Sequence, residues 1–166
     1  ATPHLDADTI QRMFLTAYNL LMADRESVIV DCAIMRQVLS DTTTLDAELD
    51  SLNEEITVVA ELVKTCVREN ASTAQSQEEY AKKYNGLLAR YEKATARLAE
   101  VSAEKERKRN QDREIRLFIE ALKKQPLVLE EWDERLWIAI VDRATVFRDG
   151  RIVFKFKCGS EIEVER

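Results

Sequence analysis

Two hydrophobic ladders of seven rungs run through the middle of this chain as mirror images. The first is Leu45, Leu49, Leu52, Ile56, Val59, Val63 and Cys66. The second is Tyr80, Tyr84, Leu87, Tyr91, Ala94, Leu98 and Val101. Both step alternately by four and three, the spacing of a coiled-coil seam. Paired from the outside in, the residue numbers sum to 146 or 147 at every rung. Two helices folded back about residue 73 would bring each rung to its partner. The pattern predicts an antiparallel coiled-coil hairpin over 43–107, its tip near 70–76. Residues 1–42 and 108–166 are then a small α+β base from which that hairpin projects as an arm.

Composition agrees with long helices. Hydrophobic residues make up 45% of the 166, enough for a core, while three glycines and two prolines leave few breakers. Charged residues at 34% suit solvated helix surface. No apolar run approaches the roughly 18 residues of a membrane span, so no membrane partner is expected. No signal peptide is visible. The opening Ala1-Thr-Pro-His4 suggests a piece of a larger protein. The net charge of −6 conceals an asymmetry: residues 1–79 hold 15 acidic and 5 basic side chains, residues 80–166 hold 16 and 20. An acidic chain can therefore carry a basic working face. Cys32, Cys66 and Cys158 are an odd number with no CxxC, which points to a reducing compartment and no zinc knuckle. Cys66 reads as a small hydrophobe on the seam.

Asp6 or Asp8 can cap a helix beginning near Thr9, with Ile10, Phe14, Ala17 and Leu21 as its stripe and Met13 and Leu20 beside it. Val28, Cys32, Met35 and Leu39 mark a second helical stretch. Ser40–Thr44 interrupts it, and Thr43 or Thr44 restarts the chain into the hairpin. Residues 70–76 are small and polar, fit for a reversal, and Ser76 with Glu79 matches a capping box. Another helix carries Ile115, Phe118, Ile119 and Leu122, ended by Pro126. A helix from Leu129 to Val141 follows, with Trp132, Leu136, Trp137 and Ile140. Thr145–Arg148 and Arg151–Lys157 flank Asp149-Gly150, a hairpin signal in which both turn residues can take positive φ. Glu161–Glu165 adds a strand. The fold class expected is mainly α, with a C-terminal three-stranded β-meander.

The hairpin stripes read as mostly narrow, with charges around them, which favours a two-helix arm over a compact bundle. The first helix is acidic and the second more basic, a complementarity that suits their pairing. Gly86 inside the second helix marks a bend, a close contact or nothing at all. His4 is the only histidine, so no Ser-His or Cys-His pair is available, and no phosphate-loop, dinucleotide or HExxH motif occurs. No enzyme activity and no cofactor are expected of this chain. A modest nucleic-acid signal lies in the strand after the Asp-Gly turn. There Arg151, Val153, Lys155 and Lys157 alternate with Ile152, Phe154 and Phe156, and Arg148 and Arg143 lie nearby. Lys105, Arg107, Lys108, Arg109, Arg113 and Arg116 form a second basic cluster. The DNA-binding candidates are Arg148, Arg151, Lys155 and Lys157.

Several segments together carry a family resemblance. Thr2-Pro3-His4-Leu5 leads into an amphipathic helix, and a long coiled coil follows. Then come Leu136-Trp137-Ile-Ala-Ile140-Val141-Asp142, Val146, Asp149-Gly150, Phe154-Lys155-Phe156 and Gly159-Ser160-Glu161-Ile162. This order resembles the C-terminal part of large serine recombinases, the integrases of phages and mobile elements. The resemblance implies a coiled coil, rooted in a zinc-ribbon domain, that touches other recombinase subunits during synapsis and helps set integration or excision. It also implies DNA contact in the full-length protein, a recombination directionality factor as a partner, and the cytoplasm of a bacterial host. The family's serine nucleophile and zinc cysteines are missing from this chain, so zinc belongs to the full-length parent only. The tip residues expected to meet another arm are Asn70, Ser72, Thr73, Gln75 and Tyr80. The alternative is a cytosolic coiled-coil scaffold or adaptor that contacts only proteins.

Overall fold

The computed structural model describes residues 5–74 and 76–166. Thr2, Pro3, His4 and Gln75 therefore lie outside the described residues. The chain is mainly α with a small three-stranded antiparallel sheet, the expected class. It divides into two compact units, Ala1–Ser40 with Asn110–Arg166, and Asp41–Arg109. No helix among the described residues is long and apolar enough to cross a membrane.

In the first unit, α1 (Ala7–Ala23) is capped by Asp6, whose carboxylate accepts from Thr9 N at 2.7 Å. Its inward face is Met13, Phe14, Ala17, Tyr18, Leu21 and Met22. Leu20 is exposed and Ile10 only half-buried, so the true stripe is rotated from the expected one toward Tyr18 and Met22. The helix stops at Asp24 and α2 (Arg25–Ser40) begins at once. Asp24 is held as a C-cap, donating its N–H to the carbonyl oxygens of Leu21 and Met22.

The expected separate helix around Ile115–Leu122 does not exist as such. α4 (Gln77–Lys124) runs unbroken through the charged stretch 104–109, because no glycine or proline interrupts it. Gln125 and Pro126 end it, and the Pro126 carbonyl accepts from the Tyr18 hydroxyl at 2.8 Å. Residues 110–124 belong to the first unit and 77–109 to the second. The helix expected from Leu129 begins later, as α5 (Glu134–Ile140), because Asp133 caps it by accepting from Arg135 N and Leu136 N. Trp132 thus precedes the helix. Asn19 fixes the linker by accepting from Leu129 N at 2.9 Å and donating to the Leu129 carbonyl at 3.3 Å.

The sheet follows without a loop. β1 (Val141–Val146) starts where the helix stops, four residues before the expected Thr145; β2 (Ile152–Phe156) and β3 (Glu161–Val164) complete a meander in the order β1-β2-β3. Both turns are three-residue loops of one design. Gly150 N donates to Phe147 O at 3.0 Å and Gly159 N to Phe156 O at 2.8 Å, each glycine at φ +90°. Asp149 does not take positive φ, so the two-residue turn expected of Asp-Gly is not formed. The glycine instead closes a bulged loop, and the Asp149 carboxylate accepts from Arg151 N at 3.1 Å.

The core of this unit lies where α1, α5 and residues 115–122 of α4 meet the inner sheet face of Ile152, Phe154 and Phe156. Phe14 sits at its centre, fully buried, with edge contacts to Trp132, Trp137 and Phe154 at centroid distances of 5.4, 5.0 and 6.2 Å. Such pairs add roughly 0.5–1.5 kcal/mol beyond the area they bury.

The second unit is the helical hairpin. α3 (Thr43–Ser72) and residues 77–109 of α4 are its two helices. Thr42 hydroxyl donates to Asp46, and Asp41 accepts from Thr43 N at 3.2 Å, fixing the restart after Ser40. At the far end Thr73 N donates to Glu69 O, and Ser76 Oγ accepts from Glu79 N at 3.4 Å, which opens α4.

Candidate functional site

The hairpin is the strongest candidate for a docking element, and its register assigns every side chain a place. With Leu49, Ile56, Val63, Tyr84, Tyr91 and Leu98 as heptad position a, and Leu45, Leu52, Val59, Cys66, Tyr80, Leu87, Ala94 and Val101 as d, all fourteen predicted seam residues are placed. In an antiparallel pair, both g positions fall on one side of the seam and both e positions on the other.

The g side is laced by ion pairs between the helices. Arg97 grips Glu48 with two bonds of 2.7 and 3.2 Å, Arg90 meets Glu55 at 2.8 Å, and Lys83 meets Glu69 at 3.0 Å. Glu48 holds the Arg97 guanidinium above even its ordinary pKa, and Glu69 does the same to Lys83. Each pair is exposed and screened by solvent, so its individual worth is small; their value is in fixing register. Under them six of the eight d residues, Leu45, Val59, Cys66, Leu87, Ala94 and Val101, are buried, and Leu52 and Tyr80 are half-buried. Val59, Cys66 and Leu87 form one cluster with Val63, Tyr80 and Tyr84 against it, which joins the rungs expected to meet. Small Ala94 leaves a shallow hollow of about 320 Å³ among Leu52, Glu55, Arg90, Lys93 and Arg97. Leu62, itself at g, is 41% exposed, with Val58 on its outer flank at 52%.

The e side is different. None of the six a residues is fully buried: Leu49, Ile56, Val63, Tyr84 and Leu98 are half-buried, and Tyr91, expected in the seam, is exposed at 38%. Beside them at e stand Ala60 and Val67 on α3 and Ala81 and Leu88 on α4, with Val67 46% and Leu88 38% exposed. The stripe expected to be narrow is therefore wide, spanning a, d and e between 56–67 and 81–91. That width belongs to helices covered by more than one neighbour. The periodicity of a and d alone missed it; the uncharged e positions were the signal.

At the tip, Asn70 and Ser72 are helical, Thr73 is the C-cap, and Tyr80 packs at 5.9 Å on Tyr84. Ser72 Oγ donates to Arg68 O at 3.0 Å, and Asn70 Oδ1 accepts from Gln77 Nε2 at 3.3 Å. Asn70 thus spends a hydrogen bond on closing the hairpin, while Ser72 and Thr73 N bond back within the last turn of α3. Gln75 lies outside the described residues.

Of the four DNA-binding candidates Lys155 lies in β2, Arg151 and Lys157 flank it and Arg148 stands in the turn before it; Ile152, Phe154 and Phe156 are buried, as the alternation requires. Their charges are committed nearby. Arg151 bonds Asp149 at 2.6 Å and Glu163 at 2.7 Å and lies 5.0 Å over the Phe147 ring. Those two carboxylates raise its pKa further, while Arg151 holds Asp149 below the usual carboxylate range. Lys155 lies 3.9 Å from Glu161, and Lys157 Nζ donates to Ile138 O at 2.8 Å. Arg148 is exposed at the turn. Four of the six residues of the second basic cluster have local partners: Lys105 with Asp46, Lys108 with the Asp41 carbonyl at 2.7 Å, Arg109 with Glu106 at 3.9 Å and Arg113 with Asn110. The outer sheet face is of mixed sign.

The fold brings Cys32 and Cys158 together, which the sequence alone did not show. Both are buried; the Cys158 thiol pushes Cys32 well above the usual thiol range, whereas Cys32 and Ser160, whose Oγ lies 3.2 Å away, draw Cys158 down. Among the described residues no group of three Cys, His, Asp or Glu could hold a metal ion. Near the two thiols α2 leaves Val30, Ile34, Met35 and Val38 exposed above a groove of about 520 Å³ bordered by Ile115, Phe156 and Lys155. Comparison with protein-family models, curated proteins and solved structures finds no match to this chain.

Proposed function

We propose that this chain is a non-catalytic C-terminal part of a large serine recombinase. In this reading the helical hairpin makes the subunit contacts of synapsis and of the choice between integration and excision. The observation that carries it is the hairpin itself: two helices held in register by paired charges, with an apolar face left over for another molecule. The order of segments resembling that family, from the coiled coil through Trp137 to Gly159, supplies the rest. Other recombinase subunits, DNA and a recombination directionality factor are the partners proposed, in the cytoplasm of a bacterial host. DNA contact in this reading falls first to Arg148, since Arg151, Lys155 and Lys157 must release local partners to meet a phosphate.

A second reading, a coiled-coil scaffold that binds only proteins, is favoured by those same local pairs. Binding of the chain to mixed-sequence duplex DNA, followed by fluorescence anisotropy across a salt series, separates the two. The recombinase reading expects binding that weakens steeply with salt, because each neutralised phosphate releases counterions, and that weakens further in Arg148→Glu and Lys155→Glu. Absence of binding at low salt favours the scaffold.

A further inference from the structure

Two thiols meet inside the α+β unit, away from the hairpin. Cys32 stands on α2 and Cys158 in the turn between β2 and β3, far apart in the chain, yet their side chains hydrogen-bond to each other. Neither is held in a disulfide, and both are buried, at 1% and 4% exposure. A second approach joins the same two elements one turn along: a Cβ built on Gly159 would lie 3.9 Å from the methyl carbon of Met35. Among the described residues, Cys32 is the only fully buried one of α2, whose Val30, Ile34 and Val38 face water. Beside it, the half-buried Val28, Ile29 and Leu39 and the Arg36–Asp112 ion pair at 2.8 Å hold the helix. We propose that Cys32 and Cys158 are a reversible dithiol–disulfide pair, whose bond ties α2 to the β2–β3 turn. This pairing is independent of the recombinase reading.

The two sulfurs have unequal parts. Cys32 and then Ser160, through its hydroxyl at 3.2 Å and its N–H, favour a thiolate on Cys158, whereas the contact with Cys158 and burial keep Cys32 protonated. The thiolate is the nucleophile of disulfide exchange, and the co-reactant is a small-molecule disulfide. Cys158 gives its proton to water, and its sulfur attacks one sulfur of that disulfide. The old S–S bond breaks, and its other half leaves as a thiolate and takes up a proton. The Cys32 thiol then loses its proton and attacks the Cys158 sulfur, expelling the second half as a thiol. Two protein thiols are oxidised and one disulfide is reduced to two thiols, with no other electron donor or acceptor. Because both thiols are buried, the first attack requires α2 to lift, and elements with few buried apolar contacts open most readily. The bond forms when α2 returns, and it then holds the helix down. In a reducing compartment such a bond is transient and follows the redox poise.

The full chain, reduced and then equilibrated in glutathione buffers of increasing oxidised fraction, tests this. Its intact mass should fall by two hydrogens. Peptide mapping should join Cys32 to Cys158 and leave Cys66, which packs with Val59, Val63 and Leu87, free. Hydrogen exchange of the α2 amides should slow by about tenfold or more on oxidation, and dithiothreitol should restore it. Cys32→Ala should stop at a glutathione adduct on Cys158, and Cys158→Ala should leave Cys32 unmodified. An adduct on Cys32 in the latter overturns the choice of nucleophile. Thiols that stay reduced at every ratio, a bond to Cys66 instead, or adducts on both cysteines with no bond between them overturn the pairing. A Cys32–Cys158 bond that leaves exchange in α2 unchanged overturns the tie.

Discussion

The two units of this protein bury apolar side chains by different means. In the α+β unit, helices and a sheet converge on one centre, and Phe14, Tyr18, Phe118, Phe154 and Phe156 are all buried to within 2% of full exclusion from water. Among the described residues of the hairpin, only Val59, Cys66 and Val101 reach that state. Two helices touch along one line, so whatever lies beside that line stays in water. A sheet with helices on its inner face encloses volume; a helix pair encloses a seam. The α+β unit therefore encloses its centre, though α2 and Leu117, Leu127, Val128 and Ile138 leave apolar surface in water. The hairpin is laced by ion pairs on its g side, beside exposed Val58 and Leu62, and leaves Val67, Leu88 and Tyr91 exposed on its e side. Stability should concentrate in the first unit and binding in the second.

Truncating the centre of each unit gives the largest effects and the sharpest contrast. Phe14→Ala should cost about 3–5 kcal/mol, because its neighbours Trp132, Trp137 and Phe154 cannot all collapse into the space. Val59→Ala removes two buried methyl groups and should cost about 2 kcal/mol. The reporters separate naturally: both tryptophans lie in the α+β unit, and Tyr80, Tyr84 and Tyr91 lie in the hairpin. Denaturant unfolding followed by tryptophan emission should therefore shift strongly in the first variant. Equal midpoint losses in the two variants would break the contrast.

How far each unit was legible follows from the same difference. The hairpin is a local, periodic object, so its seam and reversal could be read from spacing, and the ion pairs joining 48 to 97 and 55 to 90 fall where antiparallel register requires. The meander was legible from its glycines, though Gly150 closes a bulged loop rather than a two-residue turn. What spacing could not give was tertiary. Trp132 has helical spacing to Leu136 but is fixed outside α5 by the Asp133 cap and by packing on Phe14. Val141 continues the apolar pattern of α5, yet it begins a strand because Phe156 stands opposite it. The cations of β2 read as free because their carboxylates, Glu161 and Glu163, arrive from the next strand through register alone.

Glycine 86 offers a gain in place of a loss. It lies in the interior of α4, and a Cβ there would meet nothing within 4 Å. No bend or close approach requires it, so Gly86→Ala should stabilise the hairpin by up to about 1 kcal/mol through helix propensity. A higher midpoint by far-UV circular dichroism with unchanged tryptophan emission is expected. A lower midpoint would mean that the position is occupied in an assembly.

Acid should probe the hairpin most gently. Lys105 and then Thr42 hold the Asp46 carboxyl below the usual aspartate value of 3.8, and Lys64 holds Glu61 below the usual glutamate value of 4.5. A carboxyl whose folded pKa is depressed stabilises the fold fully above its unfolded value. That contribution is lost as pH falls through the lower folded value. The hairpin's helical signal should therefore hold down to about these usual values and decline below them. Asp46→Asn should begin weaker and lose less over the same interval, since its side chain cannot be protonated. The α+β core is apolar at its centre, so tryptophan emission should respond less than helicity to the same titration. Because Asp46 and Glu61 are solvent-exposed ions, added salt should flatten the wild-type curve toward that of the variant; identical acid curves for the two chains at low salt would show that the Lys105 pair does not brace the base of the hairpin.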